Sequence, residues 1–138
     1  MSEYLAEGKS TSHKAELEIK WEYYGRFIND DVYKLKIEVV NDKCLVKKPG
    51  IYKLISNDLS ELYVGEGQFV HKRLSNYKNA RYELHEKNEY TNRRIQGWML
   101  HLIEDEKGPI EIFVCTLAYI RCGDEMKELD LDKEYNRL

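Results

Sequence analysis

Two tyrosine-containing tripeptides and one downstream arginine carry the chemistry that this sequence indicates most clearly. Gly50-Ile51-Tyr52 and Tyr63-Val64-Gly65 place their tyrosines eleven positions apart, and Arg73 follows ten positions after the second tyrosine. An arginine is permanently charged and binds phosphate oxygens in a bidentate geometry. A phenol can position a water molecule, or take its proton if the phenol's pKa of about 10 is lowered by an arginine or a metal. Two phenols and a guanidinium around one pocket would therefore suit phosphodiester chemistry.

The surrounding pattern predicts the elements that must bring these three side chains together. Residues 50–56 and 62–65 are predicted to be the strands of a tight hairpin, which puts both tyrosines at the same end of a sheet. Apolar residues at helical spacing predict a helix over 68–79, from which Arg73 could point back at the tyrosines. Gly65 permits close approach of the backbone before that helix.

A second hairpin is predicted nearer the N-terminus. Apolar and charged residues alternate over 15–23 and again over 33–39, which is typical of half-buried strands. The segment 25–31 contains Asn and Asp residues that favour a turn between them. Three roles stay open for this hairpin, namely extension of the sheet, DNA binding and dimerisation.

A second helix, a central strand and an acidic tail are predicted after the first helix. Thr91 or Asn92 is a suitable N-cap for a helix with an apolar face. Residues 110–118 are apolar on both faces of a strand, which is typical of a central position. Residues 124–138 are acidic and rich in helix formers. Trp98 falls on the apolar face of the second helix, which favours a core position over stacking on bases.

The two tripeptides, their spacing and Arg73 together resemble the GIY-YIG nuclease family, which includes homing endonucleases, excision-repair incision subunits and restriction enzymes. The resemblance covers roughly residues 48–138 and includes the order strand–strand–helix–helix–strand–helix. It implies an α/β (α+β) fold with a small central antiparallel sheet flanked by helices, to which the N-terminal hairpin is added. The predicted organisation is a flexible tail over 1–14, the hairpin extension over 15–47 and a nuclease-like domain over 48–138.

The resemblance also implies roles for individual residues. Tyr52 would position or deprotonate the attacking water, and Tyr63 would share that site and orient the water. Arg73 would stabilise the pentavalent phosphate of the transition state. Tyr77 lies one helical turn after Arg73, where many family members have histidine, and its phenol reaches the same face.

A divalent cation, usually Mg²⁺, is the cofactor that the resemblance implies, held by a glutamate on the last helix. The tail offers Glu125, Glu128 and Glu134, of which Glu134 is the predicted ligand. The alternative is that the ligand lies beyond Leu138, which would make this chain a shortened or degenerate nuclease. No small-molecule cofactor is expected.

Local charge suggests where a polyanion would bind. Residues 68–97 carry seven Lys or Arg against three Asp or Glu, a local charge of +4 in a chain of net charge −3. His71 and Lys72 flank Arg73 and are candidate phosphate contacts, with plain exposed helical positions as the alternative. Arg93 and Arg94 follow the predicted start of the second helix, where anions bind, with a simple helix cap as the alternative.

Length and composition narrow the function classes. The 138 residues are 42% hydrophobic and 34% charged, which is typical of one globular domain and excludes disorder and membrane-spanning segments. Three cysteines without a CxxC pair argue against a zinc site or a disulfide framework, and no secretory signal is visible, so a cytoplasmic location is predicted.

The leading hypothesis is a DNA endonuclease of phage, mobile-element or restriction type. The alternatives are an inactive nucleic-acid-binding module on the same scaffold and a protein-interaction domain whose apolar hairpin docks a partner strand. Oligomeric state and target sequence stay open.

Overall fold

The computed structural model describes residues 14–31, 34–41, 48–80 and 89–131. Within these ranges the chain forms two antiparallel sheets and two helices, which confirms the predicted α+β class. The elements in chain order are β1 (Glu16–Ile19), β2 (Glu22–Asp31), β3 (Lys34–Val39), β4 (Gly50–Ile55), β5 (Leu62–Gly67), α1 (Val70–Lys78), α2 (Glu89–Glu104), β6 (Ile110–Cys115), β7 (Ala118–Cys122) and β8 (Glu125–Leu129).

The larger sheet has five strands in the order β3-β2-β6-β4-β5. Strand β6 is its centre, because the β4–β5 hairpin pairs with one edge of β6 and the β2–β3 hairpin with the other. Ile110, Ile112 and Val114 of β6 are buried, so the predicted central strand is confirmed, although it ends at Cys115 rather than at Ala118.

The core lies between one face of this sheet and the two helices. In β4, Tyr52 and Leu54 alternate with half-buried residues and are fully buried, as period two predicts for a strand with one covered face. The helices cover that face with apolar side chains at three- and four-residue spacing. These are Val70, Leu74 and Tyr77 of α1 and Ile95, Met99 and Leu102 of α2.

The N-terminal hairpin forms, but its boundaries differ from the prediction. Residues 25–31, predicted to be a turn, belong to β2, since their backbone pairs with β3 on one side and in part with β6 on the other. The predicted strand 15–23 is divided, because β1 pairs with β7 in the second sheet while β2 begins at Glu22. Of the three roles left open for the hairpin, extension of the sheet is the one that the strand pairing shows.

The region after β6 corrects the prediction of a helix. Strands β1, β7 and β8 form a three-stranded sheet, and residues 125–129, predicted to be helical, are β8. Gly123, at φ 64°, and Asp124 form the two-residue connection of the β7–β8 hairpin. A Gly-containing two-residue turn is a strong hairpin signal, and a short run of helix formers does not overcome the cost of helix nucleation.

The helices agree with the sequence patterns except at the start of α2. The helix predicted over 68–79 is α1, at Val70–Lys78. The structure describes α2 from Glu89 onward, so Thr91 and Asn92 lie inside it and neither caps it. No helix in the described ranges is both long enough and apolar enough to span a membrane.

Candidate active site

Tyr52, Tyr63, Tyr77 and Arg73 converge on the helix-covered face of the five-stranded sheet. The ring centroids of Tyr52 and Tyr77 are 6.1 Å apart, and each lies 6.4 Å from that of Tyr63. The Tyr52 and Tyr77 hydroxyls are hydrogen-bonded to each other. The Arg73 guanidinium carbon lies 5.0 Å from the centroid of the Tyr77 ring, over its face. The structure therefore brings the four residues expected to do chemistry into one cluster, called here the phenol cluster.

Strand register and two glycines produce this arrangement. Pairing of Tyr52 with Gly65, and of Leu54 with Tyr63, puts both tyrosines on the same face of the hairpin. A Cβ atom at Gly65 would lie 2.5 Å from Cζ of Tyr52, so only glycine leaves room for the ring across β5. A Cβ atom at Gly67 would lie 3.3 Å from Cβ of Arg73, which brings the start of α1 close to the strand.

Two polar residues of α2 hold the cluster in place, and sequence reasoning missed both roles. Arg73 donates from Nη1 to Oδ1 of Asn92 over 3.0 Å, and Asn92 is buried. Gln96 is also buried, and its Nε2 donates to the backbone carbonyls of Tyr77 and Lys78 at the end of α1, over 3.1 Å each. The sequence did contain a signal for these roles. The two amides lie four positions apart, beside the apolar positions of the helix, and buried polar groups at such positions need hydrogen-bond partners.

Burial makes Tyr52 and Tyr77 weaker acids than a phenol in water. Burial raises the pKa of Tyr52, although the hydrogen bond from Tyr77 and the charge of Arg73 oppose the shift. Burial, followed by the hydrogen bond to Tyr52, raises the pKa of Tyr77 well above 10. Both phenols are therefore neutral at pH 7 and can donate hydrogen bonds. The expected lowering of the tyrosine pKa by Arg73 is outweighed by desolvation, which supports a positioning role over proton abstraction.

A cleft of about 500 Å³ opens beside the phenol cluster, between β5 and α2. Trp98 contributes to it, with its ring centroid 6.2 Å from that of Tyr63, so this side chain packs on the core and also lines the cleft. The Trp98 Nε1 donates to Oε2 of Glu61 over 3.2 Å. The cleft, called here the α2 cleft, is lined by Glu61, Leu62, Tyr63, Arg94, Ile95 and Trp98.

The other predicted phosphate contacts occupy different positions. Arg93 and Arg94 lie inside α2 rather than at its N-terminus, so only their side chains can meet an anion there. They also line a neighbouring hollow of about 370 Å³. Lys72 is exposed and His71 is half-buried on α1, and neither makes a ring or hydrogen-bond contact with the phenol cluster in the described residues.

The described residues do not by themselves form a centre for a divalent cation. Mg²⁺ is usually bound through carboxylates, whereas the groups around Arg73 are phenols and amides. In the ranges that the structure describes, no three His, Cys, Asp or Glu side chains lie together so that they could hold a metal. Glu125 and Glu128 are exposed on β8 of the smaller sheet. Glu134, the predicted ligand, lies outside the described residues.

Comparison of the chain with protein-family models, with curated proteins and with solved structures finds no match. Function therefore has to be argued from the phenol cluster, the α2 cleft and the elements that position them.

Proposed function

We propose that this chain is a GIY-YIG-type endonuclease that hydrolyses phosphodiester bonds of DNA. The observation that carries the proposal is the convergence of Arg73 with three phenols on one face of a sheet. The strand–strand–helix–helix–strand order of β4, β5, α1, α2 and β6 also agrees with the resemblance. Arg94, which lines the adjacent cleft together with Glu61, offers a guanidinium that suits a phosphate of a nucleic-acid backbone.

Each residue of the cluster has a role that follows from its contacts. Arg73 donates one N–H to Asn92 and also interacts with the hydroxyls of Tyr52 and Tyr77, which leaves the rest of its N–H groups for the non-bridging oxygens of a phosphate. In that position it stabilises the charge that develops on phosphorus-bound oxygens in the transition state. The hydroxyls of Tyr52 and Tyr77 are hydrogen-bonded to each other, which leaves one O–H of the pair to orient, together with the hydroxyl of Tyr63, the phosphate and the attacking water.

A plasmid-nicking assay tests these roles. We expect the wild-type chain to nick supercoiled DNA, and Arg73→Ala to lose activity by about 100-fold or more, the usual effect of removing a transition-state donor. Tyr52→Phe is expected to lose activity as well, because it keeps the ring and removes the hydroxyl. Arg121→Ala and Tyr119→Phe, both on β7 away from the cluster, are the matched controls and should nick normally.

Folding and metal dependence are measured on the same proteins. Tyr52→Phe leaves the Tyr77 hydroxyl without that partner and is expected to cost about 1 kcal/mol of stability, which a thermal melt reports. Mg²⁺ dependence belongs to the proposal through the resemblance, so each protein is assayed with Mg²⁺ and with a chelator. Equal nicking by wild type, Arg73→Ala and Tyr52→Phe would contradict the assigned roles.

A second candidate function is nucleic-acid binding without cleavage. It is favoured by the lack of a carboxylate cluster beside the phenols in the described part of the chain. This function predicts DNA binding whose affinity falls steeply with salt, and no nicking with any divalent cation. If the chain bound no DNA at any salt concentration, both candidates would be rejected, and the protein-interaction alternative would be tested next.

A further inference from the structure

The walls of the α2 cleft are aromatic and apolar. The Tyr63 and Trp98 rings are tilted by 54° to each other, so they line the cleft as an angled pair rather than a closed stack. Of its two aliphatic lining residues, Ile95 is almost fully buried and Leu62 is 57% exposed. Flat ring faces at the edge of a core are the surfaces on which nucleobases stack.

The polar groups of the α2 cleft are an acceptor and a cation. The Trp98 N–H donates a hydrogen bond to Oε2 of Glu61. Within the described ranges, Oε1 of that carboxylate has no hydrogen-bond partner. Arg94 is exposed and has no carboxylate partner among the residues that the structure describes. A carboxylate oxygen accepts from the exocyclic amino group of a base, and a guanidinium binds the phosphate that follows the base.

We infer that the α2 cleft binds one unpaired nucleobase next to the phosphate held by Arg73. Tyr63 belongs both to the phenol cluster and to the cleft, so a nucleotide could contact both through one side chain. The volume of about 500 Å³ admits a base with its sugar. The inference rests on the proposed function and narrows its substrate to DNA that is single-stranded, or locally unpaired, at the cleavage site.

Tryptophan fluorescence reports whether a base occupies the α2 cleft, because Trp98 lines it. The chain has two tryptophans, so Trp21→Phe leaves Trp98 as the only one. In a buffer with chelator, we expect a short oligodeoxycytidylate to quench Trp98 fluorescence of this variant. An abasic oligomer of equal length is expected to bind through its phosphates without quenching. Anisotropy of labelled versions of both oligomers measures binding independently of the quenching.

Substitutions in the cleft test the two kinds of contact. Trp98→Leu is expected to weaken oligodeoxycytidylate binding by about tenfold and to leave binding of the abasic oligomer within about twofold. Wild type is expected to prefer oligodeoxycytidylate to oligothymidylate, because only cytosine presents an amino group to Glu61. Glu61→Gln should lose that preference, while Glu104→Gln, exposed on α2, should keep it.

The outcomes separate this inference from the proposed function. Equal binding of both oligomers with unchanged Trp98 fluorescence would overturn the base-binding cleft and leave the phosphate site standing. Binding of neither oligomer would overturn the proposed function itself. Because the Trp21→Phe measurement does not alter the cleft, it decides between these outcomes even where Trp98→Leu fails to fold.

Discussion

At the scale of single residues, burial decides how the tyrosines of this protein behave. Arg73 acts to lower the pKa of Tyr52, yet the loss of solvent around the ring raises it by more. On the opposite face of the sheet, burial and a hydrogen bond to Glu111 raise the pKa of Tyr23 to about 12. Phenols with raised pKa values are donors at pH 7, which suits hydrogen bonds to phosphate oxygens.

These shifts predict how stability depends on alkaline pH. A tyrosine whose folded pKa exceeds its unfolded pKa of 10.0 stabilises the fold fully below pH 10 and loses that contribution as pH rises through the folded pKa. We therefore expect the melting temperature to fall above pH 10. In Tyr23→Phe, the melting temperature should decrease less between pH 10 and about pH 12 than it does in the wild type.

Thermal melts at a series of pH values, recorded together with phenolate absorbance, measure how the melting temperature depends on pH. Tyr90→Phe, which alters a ring that is 69% exposed, is the matched control. A melting temperature that rose between pH 10 and 12 would contradict the predicted direction.

The sequence predicts which residues meet in the phenol cluster, because hairpin spacing and one helical turn are local properties. Tyr52, Tyr63 and Arg73 lie within 22 consecutive positions, so no distant contact is needed to bring them together. The buried amides Asn92 and Gln96 could not be assigned in advance, since their partners lie on another element. The raised pKa values follow from tertiary burial and could not be read from spacing either.

At the scale of elements, α2 both fills the core and lines the cleft. Met99 and Leu102 are buried in the core, whereas Arg94 and Trp98 line the cleft. Gly97 lies in the helix interior, and a Cβ atom there would meet nothing within 4 Å. A glycine in a helix interior lowers stability, and packing gives no reason for this one.

We expect Gly97→Ala to stabilise the protein by roughly 0.5–1 kcal/mol, the usual difference between glycine and alanine inside a helix. Gly65→Ala is the contrasting variant, since its added methyl group would meet the Tyr52 ring. It should lower both the melting temperature and the nicking activity. Chemical denaturation of the three proteins checks the order, and a destabilised Gly97→Ala would show that the space beside the helix is occupied.

Element prediction succeeded for both helices and the β4–β5 hairpin, and it failed at β8, where the local turn signal was not used, and at β1, whose pairing is distant. Periodicity located both helices and the β4–β5 hairpin to within a few residues. The division between β1 and β2 depends on β7 and β6, which lie about a hundred positions further along the chain, as the pairing of Glu16 with Arg121 illustrates. Alternation alone carries no information about which sheet a strand joins.

At the scale of the whole molecule, the N-terminal hairpin is part of the core on which the site is built. Phe27 of β2 is fully buried and Leu35 of β3 is 5% exposed, and both belong to the same core as Tyr52 and Tyr77. Leu17 of β1, in contrast, is 58% exposed on the smaller sheet. The site therefore depends on residues far outside the segment that resembles a nuclease.

Two matched leucine substitutions test this dependence. Leu35→Ala is expected to cost about 2–5 kcal/mol through lost burial and the cavity left behind. Leu17→Ala should stay within about 0.5 kcal/mol of wild type, as exposed positions usually do. Denaturant unfolding measures both values. Similar stabilities for the two variants would mean that the hairpin is dispensable to the core.

Two side chains of α2 bond to α1. The amide of Gln96 donates to the last backbone carbonyls of α1, and Asn92 accepts a hydrogen bond from Arg73. Replacing α2 by another helix would therefore disturb the phenol cluster unless the new helix kept both amides. The solvent-facing positions of α2, such as Arg94, can be varied without that penalty. Substitutions intended to change what the cleft binds should begin at these positions.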